Sequence, residues 1–375
     1  MDFEISDDQQ AFADLTAQIL EAGSAHDQLR KLEAAGGLRF EESLWQELGR
    51  TGLLGIAIPE AYGGAGQGFF ELALVMEQVG RRTAPVPVLE TLVLAALPIA
   101  EFGTESQKQH WLPRIAQAKA VATAALIEDQ ADPDSPVTTV VEEAGEFILD
   151  GEKMCVPAGS LADLFLVPAS LPDGTVLVLL VPREVSGLEV TALQTTSGQP
   201  EAQVVLNQVR LPAQSELGIR GQGGDVLRFM REHGTAAYCS LAVGVCSEAL
   251  RLTAEYSKER KQFDQPIATF QAVGQRQADA YVDTEAIRLT SWQAAWRLSA
   301  RLEASEAVAV AKYWAALGGQ RVVHTAAHQH GGMGVDRDYP LHRYFLYAKQ
   351  LELSLGGGQH HLRALGRMLA DGVAS

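Results

Sequence analysis

Cysteine is scarce in this 375-residue chain: there are three, Cys155, Cys239 and Cys246, at irregular spacing. That is too few for a disulfide framework and offers no C-x-x-C metal knot, so a reducing, cytoplasmic setting is expected. Positive charge is also short. Thirty basic against 47 acidic residues leave a net charge of −17, which repels phosphate backbones and sets general nucleic-acid binding aside. Long apolar runs are missing, and no segment reaches the ~20 residues of a membrane-spanning helix. Met1 to Gln10 is acidic, without the basic start and apolar stretch of a secretory signal, so no export is expected. A G-x-S-x-G elbow, a P-loop and a G-x-G-x-x-G behind a strand are absent too, which leaves hydrolase, NTPase and Rossmann readings unsupported. An anionic coenzyme would need local positive groups.

What is present is enough apolar residue (47%) for sizeable cores, in a length that predicts two or three subdomains. From Ser6 to about Ala122 the period is helical, with Phe12, Leu15 and Ile19 on one face and Leu44 and Leu48 on another. Ser6 with Gln9 and Thr104 with Gln107 form capping boxes, and Gly55 to Gly64 reads as a loop. From about Val121 to Gly218 short apolar runs alternate with Asp150-Gly151, Asp173-Gly174 and run-ending prolines, the pattern of a small antiparallel β domain. From Asp225 to Met368 long helical segments return, broken at Phe263-Asp264-Gln265-Pro266 and at Gly331-Gly332-Met333-Gly334. The expected class is α+β, with domains at 1–121 (helical), 122–218 (β) and 219–375 (helical bundle).

Chemistry concentrates in two places. Arg260, Gln262 and Phe263 lie just past a helix end, with Gln271 opening the next helix; an Arg fork, an aromatic plane and an amide can hold a pyrophosphate and stack a base, although a basic residue also commonly ends a helix. Gly331 and Gly332, preceded by His328, can admit a ligand close to backbone, or simply form a turn. Gly356-Gly357-Gly358 reads as a helix end. His324, His328 and His330 lack the accompanying carboxylate of a zinc helix, so no metal is expected.

These strings, in this order, resemble the acyl-CoA dehydrogenase family from end to end. The resemblance is carried by Gly55 to Gly64, Phe102-Gly103-Thr104-Glu105 with Gln107-Lys108 and Leu112-Pro113, Gly151-Glu152-Lys153, Tyr256 to Gln271, and His330 to Tyr347. It implies the acyl-CoA dehydrogenase fold: an N-terminal helical domain, a central antiparallel β-barrel domain and a C-terminal four-helix bundle. It also implies FAD at a subunit interface, with Arg260, Gln262, Phe263, Gln271, His328, Gly331 and Gly332 serving a partner's flavin. His328 departs from the family's usual Gln but can still donate one hydrogen bond.

Other departures alter the implied function. The family reaction needs a carboxylate to take the α proton of an acyl-CoA thioester while the β hydrogen leaves as hydride to flavin. By resemblance the base belongs at Leu355, or in a minority of members at Gly234; neither residue can accept a proton. The hydroxyl-bearing string that bonds the flavin ring is replaced by Cys155-Val156-Pro157, and the Thr-Glu-Pro string by Leu126-Ile127-Glu128. Because the adenine clamp is kept while the chain's own site is altered, the chain is similar to the base-less subunits of heterotetrameric (α2β2) actinobacterial enzymes acting on CoA thioesters of steroid side chains. Gly334 to Pro340 with His342 to Leu346 carries that likeness. It implies a Glu-bearing partner subunit, an acyl-CoA substrate and an electron-transfer flavoprotein as acceptor. Two alternatives stand: a homomeric flavoenzyme with a relocated base, such as Glu352 one turn before Leu355, with Glu232 and Cys155 less well placed; or a structural or regulatory homologue without flavin.

Overall fold

The computed structural model of the protein describes residues 4–129 and 134–373. In chain order the elements are α1 (Asp7–Gly23), α2 (His26–Ala34), α3 (Glu42–Arg50), α4 (Phe69–Arg82), a π-helical stretch (Leu89–Ala96), α5 (Leu97–Phe102) and α6 (Glu105–Ala116). Strands β1 (Ala122–Ala124), β2 (Thr139–Glu143), β3 (Glu146–Pro157), β4 (Leu164–Ser170), β5 (Val176–Pro182), β6 (Leu188–Leu193) and β7 (Glu201–Pro212) follow. Helix α7 (Gly223–Glu259), a hairpin of β8 (Lys261–Gln262) and β9 (Gln265–Pro266), α8 (Gln271–Ser299), α9 (Ser305–His330), α10 (Leu341–Leu353) and α11 (Gly358–Val373) complete the chain. Two compact units interleave along it: Met1–Ala35 with Phe69–Ala84 and Thr235–Ser375, and Gly36–Gly68 with Pro85–Gly234.

In the unit that holds the sheet, Thr104 caps α6 through the expected reciprocal bonds with Gln107. The expected loop at Gly55 to Gly64 folds back on itself because Ala65, Gly66 and Gln67 donate to the carbonyls of Gly55, Ile58 and Ile56. Gly64 is required there, since a Cβ would lie 1.9 Å from the Ile58 carbonyl oxygen. The sheet runs β1-β4-β2-β3-β7-β6, with β5 also on β4. It differs from the expected wholly antiparallel barrel: β1 and the end of β2 join β4 in parallel, and β5 and β6 are the outer strands of a curled sheet. The β2–β3 hairpin carries the chain away before β4 returns beside β1, so a parallel pairing results from a connection that turn dipeptides do not reveal. The alternation of Phe147, Leu149, Phe165, Val167, Leu177, Leu179, Val204 and Leu206 fills one core.

In the other unit, Ser6 and Gln9 make the expected capping box on α1. The face that α1 buries is Ala13, Thr16 and Leu20, whereas Leu15 is exposed and Phe12 and Ile19 are half-buried. Thr16 enters the core because its hydroxyl donates to the Phe12 carbonyl at 2.7 Å, a concealment that apolar counting misses. Helices α4 and α7 meet backbone to backbone: a Cβ on Gly244 would lie 1.9 Å from the Glu77 carbonyl oxygen, and one on Gly80 2.1 Å from that of Leu241. Glu77 itself is buried, accepting from the Trp292 indole and pairing with Arg288 of α8 at 3.2 Å. Burial pushes its carboxyl up to about 7 against the pull of Arg288 and Trp292.

Candidate active site

Past the end of α7 the chain turns back within four residues. Ile267 donates to the Arg260 carbonyl at 2.8 Å, Lys261 and Gln262 pair with Pro266 and Gln265, and Phe263 and Asp264 both take left-handed backbone (φ 52° and 65°). Two successive left-handed residues suit a tight hairpin, and here neither is glycine. The turn thrusts Phe263 outward, 87% exposed, with Phe270 as its ring neighbour at 6.2 Å. Arg260, Lys261, Gln262 and Gln271, the first residue of α8, are exposed with it. A ring left this bare forgoes most of its burial energy, about 1.5 to 3 kcal/mol.

Helix α9 ends at Gly331, whose φ of 59° and ψ of −133° suit glycine, and whose N–H donates to the His328 carbonyl. A Cβ at Gly331 or Gly332 would meet nothing within 4 Å, so the chain's own packing leaves open space there. His328 is exposed beside them. The two segments are tied through their helices. Gln277 donates to Ser257 at 3.0 Å and to Gln329 at 2.7 Å, Gln329 donates to the Val273 carbonyl at 3.1 Å, and Tyr256 stacks on His330 at 4.3 Å. The His330 Nδ1–H donates to the Ala326 carbonyl and Nε2 lies 3.1 Å from the Tyr339 hydroxyl, while burial lowers the pKa of the ring. None of these ties had a signal in the sequence reading beyond the polar character of Gln277 and Gln329. His324 contacts Phe345, and among the described residues no His, Cys, Asp and Glu group could hold a metal.

Leu355 stands in left-handed backbone (φ 52°) followed by Gly356 (φ 98°), just past α10. Its loop is held from three sides. The buried Lys312 ammonium donates to the Leu351 carbonyl and, at 3.4 Å, to that of Glu352; His361 bonds the Leu355 carbonyl at 2.9 Å; and Ser354 donates to Gln350. Burial pulls Lys312 down to about 8. The Glu352 carboxylate is paired with Lys349 at 2.5 Å. Gly234 is buried inside α7.

In the sheet unit, β3 carries a bulge between Lys153 and Val156 where Cys155 is exposed and left-handed (φ 47°). Burial and then Glu201 push the Cys155 thiol up, away from thiolate character. Pro157 follows, its carbonyl taken by the Thr123 hydroxyl at 2.6 Å. The sequence reading missed a buried ion pair beneath these residues: Lys153 and Glu128, side chains 1% and 3% exposed, meet at 2.7 Å. Lys153 also donates to the Pro168 carbonyl at 2.7 Å, and Glu128 accepts from the Val137 and Thr138 amides and the Thr138 hydroxyl. Burial pushes Glu128 up, but Lys153 and Thr138 outweigh it and hold the carboxyl below its usual value; burial pulls the deeper Lys153 down. Glu128 is therefore a structural anchor that ties the segment entering β2 to β3.

The acyl-CoA dehydrogenase N-terminal domain family matches residues 6–119 and the C-terminal domain family residues 221–370. The chain belongs to the acyl-CoA dehydrogenase family. It is 39% identical over 379 residues to the acyl-CoA dehydrogenase FadE27 of Mycobacterium tuberculosis, covering 99% of both chains. A chain of the ChsE4-ChsE5 complex from the same organism superposes with a TM-score of 0.93 at 39% identity, again over 99% of each. A chain of the Tcur3481-Tcur3483 steroid acyl-CoA dehydrogenase superposes at 0.91, also 39% identical, over 98% of this chain and 99% of that one. The family's mixed helical and sheet architecture, expected from the motifs, is thus the observed one. No described helix is long and apolar enough to cross a membrane.

Proposed function

We propose that this chain is the base-lacking subunit of a heteromeric, FAD-dependent acyl-CoA dehydrogenase that introduces an α,β double bond into the CoA thioester of a steroid side chain. The observation that carries the reading is the contrast between a fully presented clamp and an empty base seat. Arg260, Gln262 and Phe263 stand exposed on one hairpin, while Leu355, where the resemblance puts the family carboxylate, has no group that accepts a proton.

The residues fit a dinucleotide flavin. The Arg260 fork is suited to a pyrophosphate, Phe263 offers a bare ring face for adenine, Gln262, Gln271 and His328 add side-chain donors, and the open backbone at Gly331 and Gly332 admits close approach. On this reading they hold the flavin of the partner subunit. When bound, FAD supplies the acceptor for the hydride that leaves the β carbon. This chain's contribution is to bind and orient: Arg260 offsets negative charge that a −17 chain otherwise repels, and Phe263 covers a face of the base from water. The α proton goes to the carboxylate of a Glu-bearing partner, because Leu355 and Gly234 cannot take it and Glu352 is committed to Lys349. The Tcur3481-Tcur3483 steroid enzyme supports the substrate class, and the ChsE4-ChsE5 complex supports an unlike partner subunit. An electron-transfer flavoprotein is the acceptor this reading calls for.

The test is flavin content. The chain purified alone should carry little FAD, and co-expression with its Glu-bearing partner should give about one flavin per pair, bleached by acyl-CoA. Stoichiometric flavin in an isolated, active chain would establish a homomeric enzyme instead; no flavin in either preparation would leave a structural homologue.

A further inference from the structure

The residues assigned to the flavin project from three helix ends: Arg260, Gln262 and Phe263 from the end of α7, Gln271 from the start of α8, and His328, Gly331 and Gly332 from the end of α9. One chain of hydrogen bonds joins these ends, and its direction is fixed at every link. The Val273 carbonyl, in the first turn of α8, can only accept, so the Gln329 atom that meets it at 3.1 Å is the donating Nε2. That turns Gln329 Oε1 toward Gln277, which donates through its own Nε2 at 2.7 Å. The second proton on that Nε2 goes to the Ser257 hydroxyl at 3.0 Å. Ser257, buried in α7, passes its proton to the Ala254 carbonyl at 2.9 Å. Neither amide can be turned over without setting acceptor against acceptor. The links attach beside the assigned residues. Ser257 shortly precedes Arg260, whose N–H still donates to the Tyr256 carbonyl at 2.8 Å; Val273 shortly follows Gln271; and Gln329 adjoins His328.

We propose that Gln277 and Gln329 are positioning residues for the flavin: together they lock the three helix ends into one preformed seat for the adenine and pyrophosphate of the dinucleotide. The inference rests on the proposed clamp. Helix ends open at little cost, and ordering them at the moment of binding subtracts from a ligand's affinity, so a seat held in advance binds more tightly. The Tyr256–His330 stack already joins α7 to α9. What the two amides add is the start of α8, and with it Gln271.

The experiment uses Gln277→Met, Gln329→Met and the double variant, which keep side-chain length and helix preference while removing the amides. Amide hydrogen exchange over 273–277, which includes the first bonded amides of α8, reads the lock in the chain without flavin and should quicken about tenfold in each variant. In the double variant Ser257 still has the Ala254 carbonyl, so no donor is stranded and the denaturant midpoint should stay near that of wild type. FAD affinity of the complex with the partner, titrated into the apo complex, should nevertheless fall about tenfold in all three. The double variant should be no worse than Gln277→Met, because losing either amide already breaks the chain. Unchanged exchange would overturn the lock. Quickened exchange with wild-type FAD affinity would overturn the positioning role, as would losses that multiply in the double variant or merely follow the midpoint. Arg260→Ala separates the two readings. If it leaves FAD binding unchanged, the proposed clamp fails and the lock is decided by exchange; if it weakens binding while Gln277→Met does not, only this inference fails.

Discussion

Leu355 keeps a left-handed backbone conformation that a leucine adopts at a cost, held there by bonds to its neighbours' carbonyls from Lys312 and to its own from His361. Leu355→Glu in this chain alone should therefore yield no acyl-CoA-dependent flavin bleaching, because a base works only when flavin and thioester are already positioned, and misplacement of about 1 Å can cost on the order of a hundredfold. Glu352→Gln should leave turnover of the complex nearly unchanged, since its carboxylate is occupied by Lys349; loss of bleaching in that variant would return the base to this chain. Arg260 is the converse case, exposed and free to reach a ligand. Arg260→Ala should remove a charge-assisted contact of about 1.5 to 3 kcal/mol and lower flavin occupancy of the complex at least tenfold, measured by absorbance.

Among elements, the α4 crossing shows how much depends on absent side chains. Gly244→Ala places a methyl 1.9 Å from the Glu77 carbonyl and should destabilise by about 3 kcal/mol or more, whereas Gly274→Ala, in α8 with nothing within 4 Å, should be neutral or stabilising by up to about 1 kcal/mol; denaturant midpoints check both. The same crossing sets a pH dependence. Glu77 is raised from 4.5 to about 7, so between those values the folded state holds a proton the unfolded state has released, and stability falls as pH rises through that window. Glu77→Gln should remove that slope, worth up to about 3 kcal/mol, when unfolding is compared at about pH 5 and 7.5. The capping boxes, the long helices and the glycine breaks were legible in sequence because each is a local pattern. The parallel pairing of β1 with β4 was not, since it joins residues some forty apart along the chain. Nor were Thr16, Lys153 and Lys312, polar residues whose burial depends on partners that no periodicity exposes. For the candidate site, the motifs named the candidate residues, whereas the ties through Gln277 and Gln329 that hold two of its segments depend on helix packing and have no local pattern.

For the whole molecule, the proposed division of labour makes two chains incomplete apart and competent together. A −17 net charge opposes close approach to another acidic chain, so assembly with an acidic partner should proceed faster as salt is raised from low ionic strength, a trend light scattering or analytical ultracentrifugation can follow. The Phe263 hairpin, described above as a binding feature, has a further consequence in a cell that makes both chains. A copy produced in excess keeps its bare aromatic tip in water, where chaperones and proteases recognise unburied apolar surface and where copies adhere to one another. If the proposed pairing holds, matched synthesis of the two chains keeps that tip covered, and the abundance of this subunit should follow the supply of the other.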